Sequence, residues 1–287
     1  MSSRQIATST SWQLGSQVIM ALLSVITMKC VVIGLSMELV GTYNSAYGYL
    51  QFFGILADAG LYAVAVKELS RAENKEKVLS ALFTLRLFTV TVSVGGALLA
   101  AWVIPAWYGT ELPLAITIAA LVPAFTLFAG VLRTVFQVHY KLGYVFAAEV
   151  TQRIITTGII VGFVFMGLRT TTDAWYLHVF LLTGGVGAAV LFFLSLLWSR
   201  RFMRVHLSWD RSLIKNLARH AFPFGLAFLC TALYRQSDIT IIALLRDDFT
   251  IQNAFYGPVQ RIMDMAYLLP TFLLNSTLPL LSERDSK

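Results

Sequence analysis

The sequence predicts an all-α fold, that of a polytopic helical membrane protein with about eight transmembrane helices. Composition is the first observation, because 57% of the 287 residues are hydrophobic and only 13% are charged, whereas a soluble domain is about half apolar and a quarter charged. The second observation is that apolar segments of about 20 residues, long enough to cross a bilayer, alternate with short polar loops. The third is that Lys and Arg concentrate in every second loop, as they do in membrane proteins.

Eight segments qualify as membrane spans by their length and apolar content. The predicted spans cover residues 12–35, 41–66, 78–104, 112–136, 144–168, 174–197, 222–244 and 255–281. We assign residues 1–205 to an N-terminal six-helix bundle. Residues 206–287 are then a basic linker and the first two helices of a second bundle.

The ends of the chain and its longest loop set further expectations. A single charge, Arg4, precedes the first span, and no small-residue cleavage site follows it, so we expect that span to stay uncleaved.

The seventh span is expected to begin at Pro223, after a short helix over residues 210–220 that lies in the membrane interface. Its apolar side would carry Leu213, Ile214 and Leu217. The eighth span contains three prolines, which predict a kinked or broken helix.

The distribution of basic residues predicts that both termini are cytoplasmic. Only Arg169 and Arg246 fall in the loops on the opposite side. The cytoplasmic segments carry Arg4, Lys67, Arg71, Lys75, Lys77, Arg133, Lys141, Arg200, Arg201, Arg204, Arg211, Lys215, Arg219, Arg284 and Lys287. Since such a bias sets membrane orientation, we attribute the net charge of +7 to cytoplasmic loops and expect no nucleic-acid partner.

The second span carries a polar face. Asn44, Gly48, Gln51 and Asp58 lie at spacings that place them on one side of a 3.6-residue helix. Because a carboxylate that faces acyl chains is costly, this side must face other helices or a hydrated cavity. A polar face followed by the basic run 67–77 suggests a transport path, and the alternative is a bundle helix whose Asp58 is satisfied internally.

Nine charged residues are left in the predicted spans once those assigned to the cytoplasmic segments and the outer loops are set aside. The basic ones are Lys29, Arg86, Arg153, Arg235 and Arg261, and the acidic ones are Asp58, Glu149, Asp238 and Asp264. At mid-membrane each would cost about 2.5–3.5 kcal/mol if it faced lipid, so their number favours an interior polar cavity. The basic residues are candidates for binding an anionic substrate, because guanidinium matches phosphate with two parallel hydrogen bonds.

The spacing of these charges predicts pairs on single helices. Glu149 and Arg153 are four residues apart, and the pairs formed by Arg235 with Asp238 and Arg261 with Asp264 are three apart. Asp58 is then the clear unpaired acid. The alternative is that the pairs are structural and that Lys29 and Arg86 extend towards the interface.

Motifs for catalysis are absent from the sequence. It has no nucleophile elbow, no HExxH, no phosphate-binding GxxxxGK and no acid pair in a loop. Cys30 and Cys230 stand far apart, and the four histidines lack zinc-ligand spacing. We therefore expect no enzyme activity, no cofactor and no metal site.

The chain resembles Wzx-type polysaccharide flippases of the multidrug/oligosaccharidyl-lipid/polysaccharide exporter superfamily. The resemblance is spread along the chain rather than concentrated at one site. It rests on Gly41-Thr-Tyr43, Ala57-Asp58-Ala-Gly60-Leu61, Lys67-Glu68-Leu69-Ser70, Phe222-Pro223, Asp238, Tyr256, Arg261-Ile262 and Leu278-Pro279-Leu-Leu-Ser282.

This resemblance implies a fold like that of the multidrug exporters, with two six-helix bundles facing a central cavity that opens alternately to each side. The family needs about twelve or more helices, so the eight spans correspond to its first bundle and the start of its second. The chain is thus expected to be a fragment or to pair with another chain. Cavity cations of such flippases meet the pyrophosphate and acidic sugars, which by position implies Lys29, Arg86, Arg153, Arg235 and Arg261 here.

The implied function is translocation of a polyprenyl-pyrophosphate-linked oligosaccharide across the cytoplasmic (inner) membrane, for surface polysaccharide such as the O-antigen of lipopolysaccharide. Expected partners are this lipid-linked substrate, the bilayer and possible polymerase and chain-length proteins. One alternative is a cation-coupled drug or metabolite exporter, which would use an unpaired carboxylate such as Asp58. A second alternative is a membrane glycan polymerase, which would need a large outer loop or a catalytic acid pair.

Overall fold

The computed structural model describes residues 3–58 and 60–266. Within these ranges, the side chains of residues 3–14, 16, 17, 63, 231, 232, 235, 236, 264 and 265 are not described. The helices of this part of the chain are α1 (Ser3–Gly34), α2 (Met37–Asp58), α3 (Leu61–Arg71), α4 (Lys75–Val103), α5 (Leu112–Ala119), α6 (Leu121–Val138), α7 (Leu142–Phe165), α8 (Ala174–Ser199), α9 (Arg211–Leu245) and α10 (Phe249–Ala266).

The predicted all-α membrane fold is confirmed. Within the described ranges, α4, α7, α8 and the segment formed by α5 and α6 together are long and apolar enough to span a bilayer. A shorter apolar segment, Val18–Gly34, forms the second half of α1. The last part of the predicted eighth span lies outside the described residues.

Successive long helices run in opposite directions and therefore define two ends of the molecule. The loops 35–36, 104–111, 166–173 and 246–248 lie at one end, here called the Trp107 end. The loops 72–74, 139–141 and 200–210 lie at the other, the Asp210 end. Most of the loop and linker basic residues predicted to be cytoplasmic belong to the Asp210 end.

The second span is not one continuous helix, contrary to the prediction for residues 41–66. It is interrupted between α2 and α3, where Gly60 adopts a left-handed conformation with φ of 71°. Glycine is needed here for two reasons: the positive φ, and a Cβ atom that would lie 2.5 Å from the Cβ of Phe224. The fourth span bends between α5 and α6, because Pro123 cannot donate a hydrogen bond to the Ala119 carbonyl.

Two parts of the prediction for the seventh span are also wrong: that the span begins at Pro223, and that a separate interfacial helix precedes it. Residues 211–245 form a single helix, α9, and Pro223 lies inside it. Asp210 caps this helix by accepting a hydrogen bond from the Leu213 amide at 3.2 Å. The apolar side predicted to enter the membrane interface instead packs on protein, since Leu217 is buried in a cluster with residues of α3 and α4.

The segment before α9, residues 204–208, lies extended along α4 and is called the strap. Its alternate amides, those of residues 204, 206 and 208, donate to side chains one helical turn apart. The acceptors are Glu76 at 3.1 Å, Ser80 at 3.1 Å and Thr84 at 3.0 Å. The amides and their acceptors have nearly the same spacing, because two residues of an extended chain advance about 6.6 Å and four residues of a helix advance about 6 Å.

Two contacts join α9 and α10 to the preceding helices. At the Trp107 end, α2 packs closely against α9 and α10. Asn44 Nδ2 donates to the Asn253 carbonyl at 3.0 Å, and Asn253 Nδ2 donates to Ser45 Oγ at 2.8 Å. The Trp107 indole adds a hydrogen bond of 2.7 Å to the Ala243 carbonyl.

The contact at the Asp210 end is partly ionic. Lys77 on α4 lies 2.8 Å from Asp210, and His220 on α9 lies 3.2 Å from Glu68 on α3. These polar pairs lie beside the apolar cluster that contains Leu217. Between the two ends, α1, α2, α6, α7, α8 and α10 surround the cavity described next.

Candidate functional site

A central cavity of about 410 Å³ lies between α10 and the helices of the first six spans. Residues of α1, α2, α6, α7 and α8 line it on one side, and Arg261 of α10 lines it on the other. A cavity of this size is within the range of small-molecule sites. Its walls therefore combine residues from both of the predicted bundles.

Two of the predicted basic residues, Arg153 and Arg261, meet in this cavity. Arg153 projects from α7, and its Nε atom is buried without a hydrogen-bond partner among the described residues. Arg261 lies over the ring of Tyr43, with its guanidinium carbon 5.7 Å from the ring centroid, an arrangement that stabilises a partly desolvated cation. The two guanidinium groups repel each other, so an anion bound between them would relieve that repulsion and use the free donor.

Neutral polar and aromatic groups complete the wall. Tyr43 and Tyr47 of α2 contact each other edge to face, with their ring centroids 4.8 Å apart. The amides of Gln51 and Gln152 lie along the same cavity. Gly184 of α8 makes room for Tyr47, because a Cβ there would lie 2.3 Å from the Tyr47 hydroxyl. Hydroxyl and amide groups beside aromatic rings are suited to bind the hydroxyls and faces of sugars.

Lys29 lies beside a second, smaller cavity, the side groove, of about 260 Å³ between α1 and α10. The groove shares Ser24 and Arg261 with the central cavity. Its other lining residues are apolar apart from Lys29 itself, and include Val25, Met28, Val32 and Ile262. Arg261 thus lies where a polar cavity meets an apolar groove.

A third cavity, the inner cavity, of about 340 Å³ lies among α1, α6, α7 and α8 and shares Gln152 and Arg153 with the central cavity. In it Glu149 accepts a hydrogen bond of 3.0 Å from Arg133 of α6. The sequence paired Glu149 with Arg153 and placed Arg133 in a cytoplasmic segment. The structure shows instead an ion pair between two helices, which helical spacing on one segment could not reveal.

Asp58 is not an unpaired acid, so that expectation is wrong. Its Oδ1 atom lies 2.6 Å from Nη2 of Arg86, which is 1% exposed. A second donor of the same guanidinium, Nη1, bonds the Ala57 carbonyl at 3.1 Å. Asp58 and Arg86 join α2 to α4 as a structural ion pair, and we leave Arg86 out of the proposed substrate site.

The remaining predicted residues lie on α9 and α10. Asp238 is exposed and accepts a hydrogen bond of 2.5 Å from the Tyr256 hydroxyl. The side chains of Arg235 and Asp264 lie outside the described ones, so their predicted pairs with Asp238 and Arg261 stay predictions.

The sequence analysis missed Tyr43, Tyr47 and Gln152. The sequence did contain a signal for the two tyrosines, because residues 43, 47 and 51 are spaced by four and therefore share one side of α2. The predicted polar face is therefore divided. Gln51 faces the cavity, whereas Asn44 and Gly48 face α10 and α9.

Comparison with known families agrees with this geometry. A family model described as polysaccharide biosynthesis protein matches residues 6–284. The chain belongs to this family. It is the family of the Wzx-type polysaccharide flippases, so membership confirms the resemblance seen in the sequence and assigns the protein a transporter role in polysaccharide synthesis. No curated protein and no solved structure matches the chain.

Proposed function

We propose that the protein is a flippase that moves a polyprenyl-pyrophosphate-linked oligosaccharide across the cytoplasmic membrane for surface polysaccharide, such as the O-antigen of lipopolysaccharide. The observation that carries the proposal is the convergence of Arg153 and Arg261 in one cavity between the two predicted groups of helices. Family membership supplies the polysaccharide context. In this assignment the Asp210 end and both termini face the cytoplasm, in line with the distribution of basic residues.

The three parts of such a substrate match three parts of the site. The pyrophosphate would bind between Arg153 and Arg261, because guanidinium groups bind phosphate oxygens through paired, charge-assisted hydrogen bonds. The sugar next to it would contact Tyr43, Tyr47 and the glutamine amides. The first isoprene units would lie in the side groove, which begins at Arg261 and is otherwise apolar except for Lys29.

The position of Arg261 gives the site a way to respond to substrate. Arg261 is held by α10, whereas Arg153 is held by α7. An anion that binds both guanidinium groups favours the arrangement in which the two helices are close, and empty guanidinium groups favour separation. Substrate binding would therefore shift the balance between open and closed arrangements of the cavity.

The alternative exporter hypothesis depended on an unpaired membrane carboxylate. Asp58 was the residue named for that role, and it is bound to Arg86. The cavity itself is lined by two cations and neutral polar groups, which favours an anionic substrate over a cationic drug. A polymerase and chain-length proteins are proposed as partners that use the translocated units.

The first experiment is lipid analysis after depletion of the protein from its source cell. We expect polyprenyl-pyrophosphate oligosaccharide to accumulate on the cytoplasmic leaflet and surface glycan to fall. Unchanged lipid-linked glycan would contradict the proposal and direct testing towards drug or metabolite efflux. Accumulation on the outer leaflet would mean that translocation is intact and that polymerisation is the missing step.

The second experiment tests the two arginines in the depleted cell. Arg153→Ala and Arg261→Ala should each lower glycan export by about 10- to 100-fold, which corresponds to the loss of one charge-assisted contact. Arg→Lys variants should recover part of the activity, since they keep the charge but not the paired geometry. Arg201→Ala, at an exposed position of the Asp210 end, is the matched control. Normal export by both Ala variants at normal protein levels would rule out the assigned site.

A further inference from the structure

One side of α9 changes character along its length. Arg211, Lys215 and Arg219 are exposed and four residues apart, so they form a basic stripe over the first three turns. Further along the same side lie Phe222 and Leu226, which are 70% and 53% exposed. Residues 211, 215, 219, 222 and 226 all fall within a sector of about 80° at 100° per residue.

The change from charged to apolar marks the depth at which this side of the helix enters the membrane. Exposed phenylalanine and leucine side chains are stable in acyl chains, whereas exposed charges are not. The boundary therefore lies between Arg219 and Phe222. At a rise of about 1.5 Å per residue, Arg219 lies about 5 Å and Lys215 about 10 Å outside Phe222, which is the depth of lipid headgroups.

Among the residues that the structure describes, no ion pair or side-chain hydrogen bond involves Arg211, Lys215 or Arg219. The opposite side of the same turns carries Leu217 and Ala221, which are buried against α3 and α4. Two acids at this end of the molecule are paired with other residues, Asp210 with Lys77 and Glu68 with His220. Basic residues in the first turns of a helix also oppose its dipole, so they do not stabilise α9.

A tryptophan adds a second feature of the interface. Trp209, two residues before the stripe, is 75% exposed. Tryptophan with its polar N–H and large apolar ring concentrates at the level of headgroups. The stripe and Trp209 together are suited to a surface that is anionic on the water side and apolar beneath.

We propose that this side of α9 binds the phosphate headgroups of anionic phospholipids in the leaflet at the Asp210 end. Each guanidinium binds a phosphate diester through paired hydrogen bonds, and Phe222 and Leu226 contact the acyl chains of the same lipid. The site holds the helix that follows the strap at a fixed depth. It is separate from the central cavity and does not depend on which substrate is transported.

The test uses the purified full chain in mixed phosphatidylcholine and phosphatidylglycerol vesicles, followed by quantification of the phosphatidylglycerol that stays bound after detergent extraction. We expect Lys215→Gln/Arg219→Gln to lower the retained phosphatidylglycerol by about tenfold, since each basic residue near an anionic surface contributes measurably to binding. The retention by the unchanged protein should fall with added salt. Thermal stability in pure phosphatidylcholine should not change, because both side chains are exposed.

The matched control is a second double variant that loses the same two positive charges at the Asp210 end, but on α3. Lys67 and Arg71 of α3 are also exposed and four residues apart, and Lys67→Gln/Arg71→Gln should leave retention within about twofold of the unchanged protein. Equal losses in the two double variants would overturn the proposal in favour of diffuse attraction by net charge. Full retention in the α9 variant would overturn it directly.

Discussion

The two contacts that join α9 and α10 to the rest of the protein are built on different principles. At the Trp107 end the contact is neutral and buried, and it depends on glycines that let backbones approach. A Cβ at Gly41 would lie 1.5 Å from the Thr250 carbonyl oxygen, and one at Gly257 would lie 2.3 Å from Asn44. At the Asp210 end the contact combines an apolar cluster with exposed ionic pairs.

This difference indicates that the neutral contact, at the Trp107 end, is the one that can separate without leaving unpaired charges. Asn44 and Asn253 each keep a buried side-chain oxygen without a partner among the described residues. Buried unpaired oxygens make the closed contact less stable than its packing suggests, and water would satisfy them on opening. Because α2 and α10 both line the central cavity, separation of this contact would also change the shape of that cavity.

The largest effect is expected at Gly41. Gly41→Ala should destabilise the protein by about 1–3 kcal/mol or more, because the added methyl group meets backbone that cannot rotate away. The measurement is the midpoint of thermal unfolding in detergent. The matched control is Gly54→Ala on the same helix, where the nearest atom would be Pro123 Cβ at 3.7 Å. This control should be neutral or stabilising by up to about 1 kcal/mol, and equal losses in both would contradict the close-contact argument.

An intermediate effect is expected at Asn253. Asn253→Ala removes donors to Ser45 Oγ and to the Ile239 carbonyl, both buried, and should lower the free energy of unfolding by about 1–3 kcal/mol. Asn216→Ala, at an exposed position of α9, should change it by less than about 0.5 kcal/mol. If the two variants unfold alike, the amide pair does not stabilise the contact.

The smallest effect is expected for the ion pair at the other end. Lys77→Gln should shift the unfolding midpoint by no more than about 1 °C, because exposed pairs gain little. Raising the salt concentration should shift the unfolding midpoint of the unchanged protein as little. It should not alter the difference in midpoint between Gly41→Ala and the unchanged protein. A large shift for Lys77→Gln would show that the strap and α9 depend on this pair for their position.

The same pair sets an expectation for pH. The hydrogen bond from Lys77, with help from the Leu213 amide, lowers the pKa of Asp210 to about 2. Since this lies below the unfolded value of about 3.9, the contribution of Asp210 is complete above about pH 4 and is lost as the pH falls towards 2. Unfolding midpoints of the unchanged protein and of Lys77→Gln should therefore differ by a constant amount between pH 5 and pH 8.

The helical membrane fold could be predicted from the sequence because apolar length and the positions of Lys and Arg report directly on the bilayer. The interruptions of the second and fourth spans could not be predicted in this way. Gly60 and Pro123 are single residues whose effect depends on a positive φ or on one missing donor. Pro223 was predicted to begin a helix, yet it lies inside α9, because the turns before it are held by packing against α3 and α4.

For the site, the sequence could identify charged residues but not their partners. Helical spacing compares positions three or four apart, whereas the pairs of Arg86 with Asp58 and Arg133 with Glu149 join different helices. Arg153 and Arg261 were both predicted as cavity cations, and the structure places both in the central cavity. Which side of α2 faces that cavity depends on how α2 packs against α9 and α10, and a single helix does not contain that information.

The strap has a practical consequence for protein engineering. Every second amide of the strap bonds a side chain of α4, so deleting or inserting a single residue within 204–208 would turn the bonded amides away from Glu76, Ser80 and Thr84. A fluorescent reporter or an affinity tag placed there would separate α9 from its support. An internal tag is therefore better placed outside residues 204–208 and outside the loop 104–111, whose buried Trp107 bonds the Ala243 carbonyl of α9.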